Sequence, residues 1–303
     1  MKRNNLFLQI LEKIIIYLGL GLVKVLSFVP LSVGYLISDC LVSIFKRYDR
    51  LTETAKRNLR RSFPDLASGI INRICTEHMR CCIDYLFEFI RYDRLSEAKI
   101  RQRCVFHNIE LLLKSFKDYD FIICYSGHFI NYELATSLPL HLEGYGMCHL
   151  YLGGEHNVIQ DWILSVRNRF GAINIPTTNP LRTIIKLNQS LKQSNSFAKG
   201  YVFGTLADMD TKEDNPHVAS FFKHDFEVLT GSERIGRKYG MKFVFAEIIR
   251  PQRGYYEVTF KEIIPKVSPN EVPTAYTDEF VRMLEDNVRK QPEIWMLWST
   301  PRF

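Results

Sequence analysis

The residues best placed to do chemistry are His128 and Glu133, which follow a short apolar stretch. Residues 121–125 are β-forming and of strand length, and a Ser-Gly pair ends the run just before the histidine. Asn131 is a plausible N-cap for a helix that begins at the next residue. The pattern therefore predicts an imidazole at the carboxyl end of a strand and a carboxylate in the first turn of the next helix.

Such a pair is suited to acid–base chemistry. Ligands of open α/β sheets bind beyond the carboxyl ends of the strands. A carboxylate beside a histidine fixes its tautomer and stabilises the imidazolium, so we predict His128 as a general base and Glu133 as the residue that orients it. The alternative is a capped helix start with an incidental histidine, and the motif alone does not decide between the two.

Composition limits the kind of partner. The chain has 303 residues, of which 46% are hydrophobic, and a net charge of +7. This length suits one large domain, or a domain with an appendage. The positive charge predicts an anionic partner, such as a membrane surface, a phosphorylated substrate or an acidic protein. We expect no nucleic acid partner, because the sequence contains no zinc-finger spacing and no RNA-binding signature.

The seven cysteines have no disulfide-framework spacing. We interpret them as reduced core thiols of a protein domain in a reducing compartment. None has metal-ligand spacing, and residues 214–217 offer too few ligands for a metal site. The sequence therefore predicts no metal centre and no cofactor.

Residues 1–50 are membrane-like. After the basic start Met1-Lys2-Arg3, two apolar segments at 14–23 and 25–45 are interrupted by Lys24 and by Pro30. Spanning a bilayer takes roughly 20 apolar residues, so the segment predicts either one span or a shallow re-entrant anchor. The proline and the internal charges favour a kinked or interfacial element.

Basic residues cluster directly after this segment, between Lys46 and Arg61. Positive charge beside an anchor is typical of the cytoplasmic side of a membrane. We therefore expect a membrane anchor at 1–50 and a cytoplasmic-facing catalytic domain at 51–303. The alternative for the first segment is a buried helical hairpin in a soluble protein.

Strands and helices alternate from residue 121 onward, which predicts an α/β fold with a mixed central sheet flanked by helices. We predict strands at 121–125, 145–152, 200–207, 241–249 and 255–264, and helices at 52–61, 70–92, 108–116, 157–170, 180–193, 230–239 and 277–290. A further short helix is predicted to open at 96–99.

Several segments resemble those of one family, in the same order. They are Arg57-Asn58-Leu59 with Ser62-Phe63-Pro64-Asp65, Glu88, the His128–Glu133 pair, Asp208-Met209-Asp210 after a strand, and the closing Gln291-Pro292-Glu293-Ile294-Trp295 with Arg302-Phe303. Over nearly its whole length the chain is similar to the lipid A biosynthesis late acyltransferases, which add secondary acyl chains to lipid A precursors. Ile130, Tyr132, Ile294 and Ser299 depart from the family's usual residues, which leaves the acceptor and the acyl-chain length open.

The resemblance implies a glycerolipid-acyltransferase-like fold at the bacterial inner membrane. It implies transfer of a fatty acyl group from a thioester, on acyl carrier protein or acyl-CoA, to a hydroxyl of a lipid A precursor. In this reaction His128 takes the proton of the acceptor hydroxyl, Glu133 orients His128, and no acyl-enzyme forms.

Four further residues are candidates for binding substrate. Arg167 and Arg169 are predicted to recognise phosphate or carbonyl oxygens, because a guanidinium group matches phosphate oxygens bidentately. Asp208 follows a predicted strand, as His128 does, and could hold a sugar or position an arginine. Asn131 is a secondary candidate. The alternatives are a solvated helix face for the arginines, turn chemistry for the aspartate and a helix cap for the asparagine.

Two other functions stay open at this point. The chain could acylate another glycolipid, an aminolipid or a lysophospholipid. It could also be a catalytically inactive homologue that binds membrane lipid.

Overall fold

The computed structural model describes residues 16–46, 48–151, 158–178, 180–193, 198–209 and 216–301. Its helices are α1 (Ile16–Leu26), α2 (Leu31–Phe45), α3 (Asp49–Ser62), α4 (Ser68–Tyr92), α5 (Glu97–Arg103), α6 (Ile109–Ser115), α7 (Val158–Asn168), α8 (Pro180–Leu191), α9 (Gly231–Lys238) and α10 (Ala275–Lys290). Short 3₁₀ helices occupy Tyr132–His141, Pro292–Ile294 and Met296–Ser299.

A seven-stranded mixed sheet forms the centre of the described fold, in the order β1-β9-β8-β2-β5-β3-β4. Neighbouring strands from β8 to β4 run parallel, whereas β9 is antiparallel to β8 and parallel to β1. The strands are β1 (Cys104–His107), β2 (Phe121–Ser126), β3 (Gly146–Tyr151), β4 (Ile173–Pro176), β5 (Tyr201–Leu206), β8 (Lys242–Gln252) and β9 (Tyr255–Glu262), and a separate hairpin contains β6 (His217–Phe221) and β7 (His224–Val228).

The pairing of β2 with β5 determines which loops meet at the carboxyl ends of the central strands. Its register runs from Phe121 opposite Tyr201 to Ser126 opposite Leu206. Because the strands are parallel and end opposite each other, the residues that follow them emerge side by side. Both strands are buried along most of their length, as expected for the middle of a sheet covered on both faces.

Helices α1 and α2 form the part of the expected anchor that the structure describes. No described helix is by itself long and apolar enough to cross a bilayer, and α1 and α2 reach that length only together, with a bend of 116° between them. Helix α2 packs closely against α4 at Gly34, where an added Cβ would lie only 2.9 Å from the Phe87 ring. Asp39 of α2 also accepts hydrogen bonds from Arg80 at 3.0 Å and Arg253 at 2.9 Å. Residues 1–15 of the predicted anchor lie outside the described residues.

The predicted α/β class and mixed central sheet are confirmed, and each predicted strand corresponds to a strand of the sheet. Strands β1 and β4 and the β6–β7 hairpin were not expected. They are only four or five residues long, which is too short for an alternating pattern to stand out from the sequence. The segment after His128 is also a 3₁₀ helix containing Pro139 where an ordinary helix was expected.

Helix α10 packs its apolar face on the sheet, with Phe280 fully buried between Tyr125 and Phe245. We expect Phe280→Ala to lower the free energy of unfolding by about 3–5 kcal/mol, through lost burial and the cavity left behind. Asp286→Ala, on the exposed side of the same helix, is the control, and removing its surface ion pair should cost under about 1 kcal/mol. Denaturant unfolding in detergent measures both, and equal losses would contradict this packing.

Candidate active site

His128 and Asp208 meet where β2 and β5 end. The imidazole Nδ1 lies 2.6 Å from Asp208 Oδ1, and the backbone N–H of His128 donates to Oδ2 at 2.8 Å. The register explains this contact, because each residue lies two positions beyond the end of its strand. The carboxylate is fully buried, whereas the imidazole remains 16% exposed.

The C-terminal segment closes the site from the other side. Trp295 donates its Nε1–H to Asp208 Oδ2 at 2.9 Å. The backbone of this segment also pairs with the histidine loop, since Met296 N–H donates to the His128 carbonyl at 2.8 Å and Ile130 N–H to the Ile294 carbonyl at 2.7 Å. The loop that carries the imidazole is therefore held by backbone hydrogen bonds as well as by the carboxylate.

Gly127 is required by this close packing. A Cβ at that position would lie 2.4 Å from a methyl group of Leu284 and 3.0 Å from Asp208 Oδ2. Any side chain there would push the loop away from α10 or from the carboxylate. The glycine thus allows the chain to turn from β2 into the site.

The donors around Asp208 decide its charge. Burial alone raises the pKa of a carboxyl group, but the charge and hydrogen bonds of His128, together with the Trp295 donor, hold the pKa of Asp208 below its usual range. An ionised carboxylate only accepts hydrogen bonds, so the proton of a neutral His128 ring is on Nδ1. Its Nε2 then carries the lone pair that can take a proton from another group.

No hydrogen bond or ion pair joins Glu133 to His128 among the described residues, so the structure does not form the expected orienting contact, and the catalytic role of Glu133 stays a prediction. The Glu133 side chain is 2% exposed, and its Oε1 lies 3.2 Å from Arg167 Nη2 on α7. The physical reason lies in the turn between the two residues. Asn131 adopts a left-handed conformation with φ of 60°, and a 3₁₀ helix follows, so the carboxylate points towards α7 and away from the end of β5.

Tyr132 lies between the histidine and this second ion pair. Its ring meets the His128 ring edge-on, with centroids 5.6 Å apart. Its hydroxyl accepts a hydrogen bond from Arg167 Nη2 at 3.0 Å. Burial, followed by the charge of Glu133, raises the pKa of the Tyr132 phenol. The phenol is therefore neutral at physiological pH.

Arg167 is the one predicted arginine that the structure brings to this group. Burial works against its charge, but Tyr132 and Glu133 raise the pKa of its guanidinium overall. Its charge also reaches His149 on β3, whose pKa falls to about 3 through burial first and Arg167 second. A permanent positive charge thus lies next to the His128–Tyr132 pair.

Two other predicted residues make structural contacts. Arg169 donates to the backbone carbonyl of Tyr92 and lies over the Phe170 ring. The Asn131 side chain donates to Glu88 at 2.7 Å and makes no cap bond to the following helix. Their roles in substrate binding stay predictions. Asp210, which belongs to the same motif as Asp208, lies outside the described residues.

Sequence reasoning missed the role of Trp295 and the partnership of Asp208 with His128. The signals were present, because Asp208 follows a strand as His128 does, and Trp295 belongs to the closing segment that matched the family. What the sequence did not show is that β2 and β5 are neighbours in the sheet.

The Trp295–Asp208 bond predicts a pH-dependent loss of stability. Removing a donor to a buried carboxylate costs about 1.5–3 kcal/mol, so Trp295→Phe should be destabilised at pH 7. The lowered pKa of Asp208 stabilises the fold above about pH 4, and this contribution is lost as the pH falls through the folded-state pKa. The difference in unfolding free energy between Trp295→Phe and the wild type should therefore narrow on acidification.

The matched control is Trp298→Phe, which is equally buried but donates to the Pro292 carbonyl. Its deficit should not change between pH 7 and pH 3. Urea unfolding of both variants across this range is the measurement. Parallel curves for the two variants would contradict a charged Asp208 held by Trp295.

Comparison with known proteins supplies the remaining information. No curated protein sequence matches the chain at a significant level. The family model described as bacterial lipid A biosynthesis acyltransferase matches residues 1–303, the whole chain. Because this match covers the whole chain, the chain belongs to the bacterial lipid A biosynthesis acyltransferase family.

Proposed function

We propose that the protein transfers a fatty acyl group from an acyl thioester to a hydroxyl of a lipid A precursor, with His128 as the general base. The family supports the acyl transfer. The observation that carries the proposed chemistry is the bond from His128 Nδ1 to the buried Asp208 carboxylate at 2.6 Å. This bond leaves Nε2, on a partly exposed ring, to receive the proton.

In the proposed reaction His128 Nε2 takes the proton of the acceptor hydroxyl as its oxygen attacks the thioester carbonyl. The C–O bond forms and the carbonyl oxygen becomes an oxyanion. The tetrahedral intermediate then collapses, the C–S bond breaks, and the imidazolium returns its proton to the leaving thiolate. Asp208 stabilises the imidazolium between the two transfers, as a carboxylate does in comparable histidine pairs. No acyl-enzyme is needed, because the acceptor is itself the nucleophile.

Arg167 is the proposed ligand for the oxyanion or for a phosphate of the acceptor. Its guanidinium is fixed by Tyr132 and Glu133 beside the His128 ring. A positive group held in advance near a developing negative charge lowers the barrier, because it need not reorganise during the reaction. Glu133 then acts through Arg167, and Asp208 takes the orienting role first expected of Glu133.

The proposal also includes membrane attachment through α1, α2 and the turn between them. These elements expose eight apolar side chains, which are typical of a surface that contacts lipid. The protein would lie at the bacterial inner membrane with its catalytic domain on the cytoplasmic face, where its seven free thiols stay reduced. The exposed apolar side chains are Leu18, Leu22, Val25, Phe28, Val33, Leu36, Ile37 and Ile44.

Acyl carrier protein is the proposed donor, and α3 is its proposed docking surface. A shallow cavity of about 660 Å³ is lined by Glu53, Lys56, Arg57, Arg60 and Arg61. No described acidic side chain forms an ion pair with the three arginines, so they are available to an acidic partner.

The position of α3 favours a donor over a membrane contact. Asn58 on the buried side of the helix donates to the carbonyls of Trp298 and Thr300, at 2.9 Å and 2.7 Å. The same C-terminal segment holds His128 and Asp208. A carrier bound on α3 would therefore lie on a helix whose buried side contacts the segment that is hydrogen-bonded to the His128 loop.

The central prediction compares the two acids. His128→Ala should lower turnover by about 10²–10⁴-fold, and Asp208→Asn should approach the same loss, because the two residues act as one unit. The double variant should be no worse than His128→Ala alone. Glu133→Gln should reduce turnover less, and its effect should add to that of His128→Ala.

The assay uses a labelled acyl carrier protein thioester and a purified lipid A precursor in detergent micelles, with folding checked by circular dichroism. Wild-type turnover in His128→Ala would remove the proposed mechanism. A Glu133→Gln variant as inactive as His128→Ala, beside an active Asp208→Asn, would reassign the acid partner.

Reversing charge on α3 tests the donor surface. For the double variant Arg57→Glu with Arg60→Glu we expect about a 10-fold rise in KM for the acyl carrier protein thioester, with kcat unchanged. The difference should shrink at high salt, because exposed charges are then screened. Lys114→Glu in α6, combined with Lys117→Glu two residues beyond the end of that helix, makes the same change in net charge and should not alter KM.

An acyl-CoA donor distinguishes the two possible partners of the surface. The KM for acyl-CoA should be the same in the wild type, in the α3 variant and in the lysine control variant. If the α3 variant instead loses binding to anionic phospholipid vesicles and keeps its KM for the carrier, the patch binds lipid headgroups and the donor assignment is wrong.

A further inference from the structure

Glu88 on α4 is a buried carboxylate that the proposed mechanism does not use. It is 4% exposed and accepts four hydrogen bonds from different parts of the chain. Oε1 accepts from the Tyr35 hydroxyl at 2.9 Å and from Arg250 at 3.4 Å. Oε2 accepts from Asn131 Nδ2 at 2.7 Å and from the Tyr256 hydroxyl at 2.6 Å. All four of these partners donate to the carboxyl oxygens.

Asn131 is the partner that connects Glu88 to the site. Its φ of 60° and ψ of 33° are left-handed, a conformation that is uncommon for residues with a Cβ and that asparagine adopts more readily than most, where its side-chain contacts support it. The residue is buried, and its side-chain Oδ1 accepts no hydrogen bond from the described residues. The bond to Glu88 is thus what fixes the amide.

The left-handed turn sets the directions of the two charged side chains on either side of it. His128 lies before the turn and points to Asp208, whereas Glu133 lies after it and points to Arg167. If Asn131 left this conformation, the two side chains would rotate relative to each other. The separation of the two carboxylate partners therefore depends on this left-handed turn, together with the backbone hydrogen bonds that hold the loop.

The same carboxylate is tied to the N-terminal helices. Tyr35 belongs to α2, and burial followed by the charge of Glu88 raises the pKa of its phenol, so the hydroxyl remains a donor. The exposed apolar face proposed to contact lipid belongs to this helix. Glu88 thus contacts the proposed membrane element through one oxygen and the active-site turn through the other.

We propose that Glu88 is a positioning residue for acyl transfer, which holds Asn131 in its left-handed conformation and so sets the alignment of His128. The inference rests on the proposed function for its effect on turnover. Its effect on the histidine loop is independent of that function and can be measured without substrate.

Glu88→Gln is the test variant, because it keeps the shape of the side chain and replaces an acceptor with a donor that faces other donors. We expect kcat to fall at least 10-fold while KM stays within about 2-fold. In an Asn131→Gly background, where glycine adopts the turn without support, Glu88→Gln should cause no further loss of kcat. A residue that only stabilised the fold would lower kcat equally in both backgrounds.

The matched control is Glu233→Gln on α9. Glu233 is equally buried and accepts from Tyr276 and Thr277 at the start of α10, with no described contact to the histidine loop. This variant should lose thermal stability to a similar extent and keep the wild-type kcat.

The readout that needs no substrate is the rate at which diethyl pyrocarbonate modifies His128, followed by mass spectrometry. We expect Glu88→Gln to change this rate at least 3-fold and Glu233→Gln to leave it unchanged. This comparison stands even if the wild-type protein transfers no acyl group, in which case only the proposed function fails. A Glu88→Gln variant with wild-type reactivity at His128, or a Glu233→Gln variant that changes it as much, would overturn the inference.

Discussion

The arrangement of the site depends on one buried negative charge. A carboxylate with no exposed surface is unfavourable unless its oxygens are hydrogen-bonded, and Asp208 meets this requirement with donors from three groups. These donors come from a strand end, an imidazole and a tryptophan near the end of the described chain. Because all of them must converge on two oxygens, the loop after β2, the loop after β5 and the C-terminal segment are fixed relative to one another.

This constraint explains why a short C-terminal segment matters for a site more than 80 residues away in sequence. Trp295 supplies the charge-assisted hydrogen bond, while its neighbours pair with the backbone on both sides of the histidine. The segment is itself held by Asn58 of α3. Helix α3, Trp295 and the His128 loop are therefore joined through the C-terminal segment.

Much of the fold could be predicted from local patterns. The apolar run at 121–125 and the run at 200–207 are strands, and the helical spacing from 70 to 92 is α4. The position of His128 at the carboxyl end of a strand was also predictable, because a β-forming run that stops at a Ser-Gly pair places the next residue just beyond the strand. Strands β1 and β4 could not be predicted, because four residues are too few to show an alternating pattern.

The partner of His128 was not predictable in the same way. Proximity along the chain favoured Glu133, five residues away, but a left-handed Asn131 and a 3₁₀ turn direct that carboxylate elsewhere. Asp208 is the partner because β5 lies beside β2, and strand order is a property of the whole sheet. The same holds for Glu88, whose four donors come from four separate segments.

The protonation state of the imidazole tests the central claim most directly. Nitrogen-15 spectra of histidine-labelled protein, with the His128 signals identified by their loss in His128→Ala, report which ring nitrogen carries the proton at neutral charge. A ring held by an ionised Asp208 should be protonated at Nδ1 and unprotonated at Nε2, and Asp208→Asn should abolish this preference. A wild-type ring protonated at Nε2, or one unaffected by Asp208→Asn, would contradict the account.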